Sequence, residues 1–300
     1  MRKLNPGSLF VLGCIALTGF LSCASGPKAQ APYIEGDDEF APIAPGGLIY
    51  FSIDDVSRAR SLLEKISPAG FSPARNREAL DRTESLVAAL YPEGSGRRFL
   101  AAARGRYPGS RAGLSFAFSR DWKKIRSGAG SYWRSEKNRL SVAITSDRAY
   151  ISDGPPFIPA PGTESPGGLE ELRRDAVLAG WVDDAAVPIN QFIQSLALPL
   201  QIPAERLLFG VYAAEGKKYD AVLNIATPSI SQARALVSIF SMARIFLANS
   251  DIDPGGPAAL AFIFFANTPV QEGTNLIIRT GIMDEDGIAL LLNMFSLYSN

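Results

Sequence analysis

The chain of 300 residues contains no histidine and only two cysteines. Without an imidazole it lacks the commonest general base, the Ser-His-Asp triad and histidine metal sites. The motifs that cradle phosphates or present a nucleophilic serine are also missing, namely G-x-x-x-x-G-K-[ST], G-x-G-x-x-G and G-x-S-x-G. We therefore expect a protein that is not an enzyme, with no catalytic residue, no metal and no cofactor.

Carboxylates are the catalytic groups that remain. Asp54-Asp55 and Asp183-Asp184 each follow an apolar run and precede a helical pattern. An aspartate in that position accepts hydrogen bonds from the free N–H groups of a helix start, and its charge suits the helix dipole. We interpret both pairs as helix caps, and a carboxylate-dependent hydrolase stays open as an alternative function.

The start of the chain predicts export. Arg2 and Lys3 precede an apolar run over residues 9–21. A short basic region followed by about 7–15 apolar residues is typical of a secretory signal peptide. The run is too short for a membrane-spanning helix, which needs about 20 apolar residues. We therefore predict a signal peptide over residues 1–22.

The run ends at Leu21-Ser22-Cys23, a small residue directly before a cysteine. This segment resembles the lipobox of bacterial lipoproteins, although Phe20 departs from the usual leucine. The resemblance implies cleavage before Cys23, acylation of that residue with fatty acids such as palmitate, and a lipid anchor in a membrane. It also implies an extracytoplasmic protein of the cell envelope. Ala24 and Ser25 follow the cysteine, with no aspartate beside it. Their resemblance to lipoprotein sorting signals implies the outer membrane in preference to the inner one.

Two segments rich in proline and glycine divide the rest of the chain. Residues 23–46 hold the lipidated cysteine and a tether, because proline and clustered acidic residues oppose a packed core. Residues 155–168 have the composition of an interdomain linker. The folded modules are then predicted at 47–154 and 169–300.

The two modules show a similar order of patterns. Each begins with an apolar run, continues with helical spacing, and then has strand pairs bounded by glycine and proline. In the first module we predict helices near 59–66, 76–91 and 121–126. In the second module we predict a strand pair at 206–214 and 219–227 and a helix near 230–248. The fold class is α+β, with two tandem ferredoxin-like modules (βαββαβ plus an extra strand) and mainly antiparallel sheets.

Charge is separated along the chain. Residues 56–140 contain 18 basic and 7 acidic residues, a net charge of +11, whereas the rest of the chain after residue 22 carries 10 basic and 23 acidic residues. A field of arginines is suited to phosphate or carboxylate groups. We predict a surface for an anionic partner, an envelope protein or an anionic lipid, at Arg97, Arg98, Arg104, Arg106, Arg111 and Arg134. The alternatives are that the basic half docks against the acidic half, or that these arginines lie on solvated faces. No nucleic-acid motif is present, so nucleic acid is not an expected partner.

One apolar segment has a second interpretation. The run 261–266 is apolar on both faces, as a strand covered on two sides is. Its aromatic residues could instead line a cavity for an apolar ligand: Phe262, Phe264 and Phe265. We therefore predict a membrane-anchored, non-enzymatic binding or assembly module, with a carrier of an apolar ligand such as lipid as the alternative.

Overall fold

The chain folds as two units, and each contains a set of antiparallel strands. The computed structural model describes residues 48–66, 77, 80–93, 96–107, 113, 116–127, 130–145, 147–156, 167–195, 201–248 and 266–293. Within this set the first unit holds residues 48–60 and 67–165, and the second holds residues 61–66 and 166–300. The signal peptide, Cys23 and the tether lie outside the described residues, as does most of the predicted linker.

Among its described residues, the first unit has an antiparallel sheet of seven strands. In chain order these are β1 (Ile49–Ile53), β2 (Thr83–Glu93), β3 (Gly96–Gly105), β4 (Lys123–Ser127), β5 (Gly130–Ser135), β6 (Leu140–Ile144) and β7 (Arg148–Ser152). Their order in the sheet is β1-β2-β3-β7-β6-β5-β4. Each neighbouring pair is antiparallel. Among the described strands, β4 is the last in this order and therefore lies at one edge.

Strand β2 is buried on both of its faces. Leu86, Ala88 and Leu90 alternate along one face, and Ala89 and Tyr91 are buried on the other. A strand covered on two sides has apolar residues at three- and four-residue spacing as well as at two-residue spacing. The predicted helix over 76–91 is therefore wrong across most of its length, because the same spacing belongs here to a two-sided strand.

In the described part of the second unit there are six strands, together with most of the helical residues of the structure. The strands are β8 (Leu178–Asp183), β9 (Arg206–Ala213), β10 (Lys218–Ala226), β11 (Val270–Glu272), β12 (Asn275–Arg279) and β13 (Met283–Asp284). The order is β11-β12-β10-β9-β8, and β13 pairs with β10. The helices are α2 (Leu169–Arg173), α3 (Ala186–Ser195), α4 (Ile230–Ala248) and α5 (Glu285–Asn293).

A further helix, α1 (Val56–Ile66), follows β1 and divides between the two units. Its buried side chains recur at helical spacing: Val56, Ala59, Leu62 and Leu63. Its last turns belong to the second unit, where the hydroxyl groups of Ser61 and Tyr219 lie 2.9 Å apart. The helical pattern predicted for this segment is confirmed, as is that of α4.

The predicted pair of ferredoxin-like modules is wrong. In that fold the strands flanking a helix run parallel, joined by a crossover. Here β1 lies directly beside β2 in an antiparallel register that matches Ile49 with Leu90. Strand β8 lies beside β9 in the same way, with Leu178 opposite Val211. Helices α1 and α3 therefore lie within connections between antiparallel neighbours, and the chain is dominated by sheet.

Candidate anionic-partner surface

An aromatic cluster supports the β4–β5 hairpin. Phe116 is buried and its ring lies 4.9 Å from that of Trp122 and 5.6 Å from that of Trp133, measured between centroids. The turn that follows is closed by the amide of Ser119, which donates to the carbonyl of Phe116 at 3.1 Å. This packing holds the segment before β4 against β5, so the side chains of the hairpin are presented from a fixed base.

The exposed charges of this hairpin are basic. Lys123, Lys124 and Arg126 on β4 are all exposed, and we call these three residues the basic edge. The register places Lys124 opposite Trp133 and Arg126 opposite Ser131, so these two cations share one face. Lys123 lies on the other face. The ammonium group of Lys124 lies 5.9 Å from the Trp133 ring centroid, a cation–π contact.

Phe118 lies beside the basic edge in sequence and is 86% exposed. It stands two residues after the buried Phe116, in the short helical turn that leads to β4. An exposed large aromatic ring is typical of a contact surface. Sequence patterns did not point to Phe118, Lys123 or Lys124 individually. The predicted helix over 121–126 is wrong, because β4 occupies most of that segment and its side chains alternate between two faces.

Two of the predicted surface arginines are held inside the first unit, and we call Arg98 and Arg134 the inner arginines. Arg98 is only 4% exposed and donates from Nη2 to the carbonyl of Pro155 at 2.6 Å. Arg134 is half-buried and donates from Nη1 to the carbonyl of Asp153 at 2.6 Å and to Ser141 Oγ at 3.2 Å. Both guanidinium groups therefore bind the chain where it leaves β7.

The carboxylate of Asp153 completes this arrangement. Its Oδ1 accepts the amide of Phe99 at 3.1 Å, and the amide of Gly154 donates to Ser152 Oγ at 3.0 Å. The backbone carbonyls at this chain exit thus find charged donors in place of a sheet ladder. The inner arginines therefore stabilise the chain after β7. Their position in the unit cannot be read from their spacing in the sequence.

The remaining predicted surface arginines differ in position. Arg104 and Arg106 are exposed near the end of β3. The Nε of Arg106 lies 3.8 Å from a carboxylate oxygen of Glu84, a long surface ion pair. Arg111 and the side chain of Arg97 lie outside the described part of the chain. The predicted cavity residues Phe262, Phe264 and Phe265 lie outside it as well.

The first aspartate pair begins α1. Asp55 Oδ1 accepts the amide of Ser57 at 2.9 Å and the hydroxyl of the same residue at 2.5 Å. These hydrogen bonds from Ser57, led by its hydroxyl, lower the pKa of Asp55 below the usual aspartate value. The carboxylate thus caps the helix, as its position after β1 predicts.

The second aspartate pair differs from the first. Asp183 Oδ1 lies 3.7 Å from Arg206 Nε, and the Arg206 guanidinium stands 4.7 Å from the Trp181 ring centroid. Asp184 has a left-handed backbone, with φ of 51°. In the part of the chain that the structure describes, no group of three or more metal-ligating side chains occurs. No described helix combines the length and apolar character needed to cross a membrane.

Comparison with known proteins gives the fold. No protein-family model and no curated protein matches the chain. Crystal structures of TP0453 are similar: form I has a TM-score of 0.58 and 17% identity, covering 89% of this chain and 99% of TP0453. Form III has a TM-score of 0.56, covering 85% and 96%. The chain therefore shares the overall fold of TP0453 along nearly its whole described length.

Proposed function

We propose that the protein is a lipid-anchored, non-enzymatic binding or assembly module of the cell envelope. The observation that carries this proposal is the exposed ring of Phe118 beside the basic edge. A ring that is 86% exposed buries little apolar area in the isolated protein. It gains that burial only when a partner covers it. The lysine and arginine side chains of the basic edge, which follows Phe118 in the sequence, favour a partner that is anionic.

The likeness to TP0453 gives the fold of this chain, and the proposed location rests on the sequence. The lipobox-like segment at Cys23 supports a location at a membrane, because acyl chains on that residue would hold the protein there. We propose the outer membrane, on the strength of Ala24 and Ser25 after the cysteine.

The anchor is tested by metabolic labelling with a palmitate analogue in cells that express the full chain. We expect Cys23→Ser to abolish labelling and to leave an uncleaved precursor. Cys14→Ser is the matched control, since it removes the other cysteine of the chain, and we expect it to be labelled like the wild type. Equal labelling of wild type and Cys23→Ser would refute the anchor.

The binding role is tested by in-cell cross-linking of the full lipoprotein, followed by mass spectrometry. We expect a reproducible partner whose cross-links map to the first unit near the basic edge. The double variant Lys123→Glu/Lys124→Glu should lose that partner. The double variant Lys217→Glu/Arg234→Glu makes the same charge change on exposed residues of the second unit and should retain it. Cross-links confined to the chain itself would mean that its own acidic half satisfies the basic charge.

A carrier of an apolar ligand is a second candidate, favoured by one observation. Met242 and Ile245 lie three residues apart on α4 and are 62% and 63% exposed. Side chains at that spacing share one helix face, so the second half of α4 presents an apolar strip. This proposal predicts co-purified lipid in native mass spectra of the unacylated chain, and spectra at the apoprotein mass alone would refute it.

A further inference from the structure

Strand β4 has a backbone edge that is open to pairing within the described part of the chain. It lies last in the order of the first unit and hydrogen-bonds to β5 on one side. The N–H and C=O groups on the other side of such a strand are a template for an added strand. A membrane surface cannot match a row of alternating donors and acceptors, whereas an extended peptide can.

The side chains of this edge set the charge of what it accepts. Lys124 and Arg126 project to one face of the sheet and Lys123 to the other, so both faces are positive along β4. Residues 119–140 contain seven basic and two acidic residues, a net charge of +5. An added strand with acidic residues on both of its faces would place carboxylates next to the cations of β4 on each face of the sheet.

The register adds an independent reason for an anionic partner. Lys123 lies directly opposite Arg134 in the β4–β5 pair. Like charges in that position destabilise a sheet. Arg134 is drawn towards the Asp153 carbonyl, and its Nε lies 3.5 Å from Glu136 Oε1. A carboxylate placed beside Lys123 would relieve the remaining repulsion.

We propose that β4 pairs with an extended acidic segment of a partner protein, which the basic edge selects by charge and Phe118 anchors by apolar contact. This inference rests on the proposed binding function and names the chemistry of the partner. Basic residues on an edge strand also protect a sheet against self-pairing. The two roles are compatible, because the same charges repel a second basic edge and attract an acidic strand.

The test uses the purified full chain and a labelled peptide of about eight residues in which pairs of glutamates alternate with pairs of valines, so that each face of the extended peptide carries glutamate. Binding is followed by fluorescence anisotropy at an ionic strength of about 0.15 M. We expect Lys123→Glu/Lys124→Glu to weaken binding by about tenfold or more. Phe118→Ser should weaken it by a smaller factor. The control Lys217→Glu/Arg234→Glu should bind like the wild type.

A backbone control separates strand pairing from plain charge attraction. The same peptide is made with N-methyl groups on alternate residues, in two versions that block opposite edges of the strand. We expect one version to lose binding and the other to retain it, because only one edge faces β4. Equal binding of both methylated versions would overturn the inference, as would equal binding of a peptide with lysine in place of glutamate.

Two further results would assign the edge to another occupant and so overturn the inference. One is binding to phosphatidylglycerol vesicles that the Lys123→Glu/Lys124→Glu variant loses while the acidic peptide shows no binding. The other is self-association in sedimentation that the same variant abolishes. In-cell cross-links to a partner at a different surface would refute this inference and leave the proposed binding function standing.

Discussion

The inner arginines and the basic edge belong to the same sheet yet do different work. Arg98 and Arg134 lie at buried or half-buried positions and bind backbone carbonyls where the chain leaves β7. The basic edge lies on the last strand of the unit, where its side chains remain in water. The comparison shows that burial, and with it the desolvation of the cation, decides whether a basic residue supports the fold or is available to a partner.

The strongest test of this comparison removes the buried cation. We expect Arg98→Ala to lower the free energy of unfolding by about 2–3 kcal/mol, because the Pro155 carbonyl loses a charged donor and the buried stem leaves a gap. Arg104→Ala is the matched control on the same face of β3, at an exposed position. It should change the stability by less than about 0.5 kcal/mol. Urea unfolding of the full chain measures the free energy of unfolding of each variant. Equal losses in the two variants would contradict the distinction between the buried and the exposed arginine.

A second test uses two residues that lie opposite each other across one strand pair. We expect Arg134→Ala to cost about 1–2 kcal/mol, since it removes donors to the Asp153 carbonyl and to Ser141 Oγ. Lys123→Ala removes the cation opposite it, and we expect no loss or a slight gain, because the like-charge pair disappears. The sign of the Lys123→Ala effect in urea unfolding distinguishes repulsion from support.

The cap of α1 extends the comparison to an exposed anion. Asp55→Ala should cost about 1 kcal/mol at neutral pH, a typical value for a lost helix cap. The pKa of Asp55 is lower in the folded chain than in the unfolded one, because the Ser57 hydroxyl and amide stabilise its ionised form. Its contribution is therefore present above the unfolded pKa and is lost as the pH falls through the folded pKa. The difference between the two proteins should shrink below about pH 4, and a constant difference would contradict the assignment.

The smallest expected effect concerns the basic edge itself. Lys124→Ala removes a cation–π contact with Trp133 at 5.9 Å, which at an exposed site contributes about 0.5 kcal/mol. Arg126→Ala removes a cation on the same face for which no such contact occurs among the described residues, and its effect should be smaller still. Thermal unfolding of the two variants ranks them, and a loss as large as that of Arg98→Ala would contradict the separation of the two groups.

Sequence patterns predicted the second unit better than the first. The strand pair β9–β10 and helix α4 lie where the pattern places them. The turn around Gly216 separates the two strands, and α4 is buried along one face only. The predicted helix at β2 is wrong because both faces of this strand are apolar. The predicted helix at β4 is wrong because both faces of this strand carry exposed charged residues. A two-residue period in the sequence requires one apolar and one polar face, and neither strand has that difference between its faces.

The candidate site divides in the same way. The excess of basic residues over 56–140 is a property of the sequence. Which of those cations are exposed depends on what covers each position in the folded sheet, since Arg98 is buried whereas Arg104, on the same face of β3, is exposed. The charge excess led to the choice of Arg98, which is buried, and not of Lys123 and Lys124, which are exposed.

Three features of this protein can be read directly from its sequence: it has no histidine, it contains a lipobox-like segment, and its basic and acidic residues are separated along the chain. They follow from composition and local order, which folding does not change. Three other features exist only in the folded chain: β1 pairs with β2 in place of a parallel crossover, Arg98 and Arg134 bind backbone carbonyls after β7, and β4 forms the basic edge. Each of these depends on which strands become neighbours, and long-range pairing is set by the total burial that the whole sheet achieves.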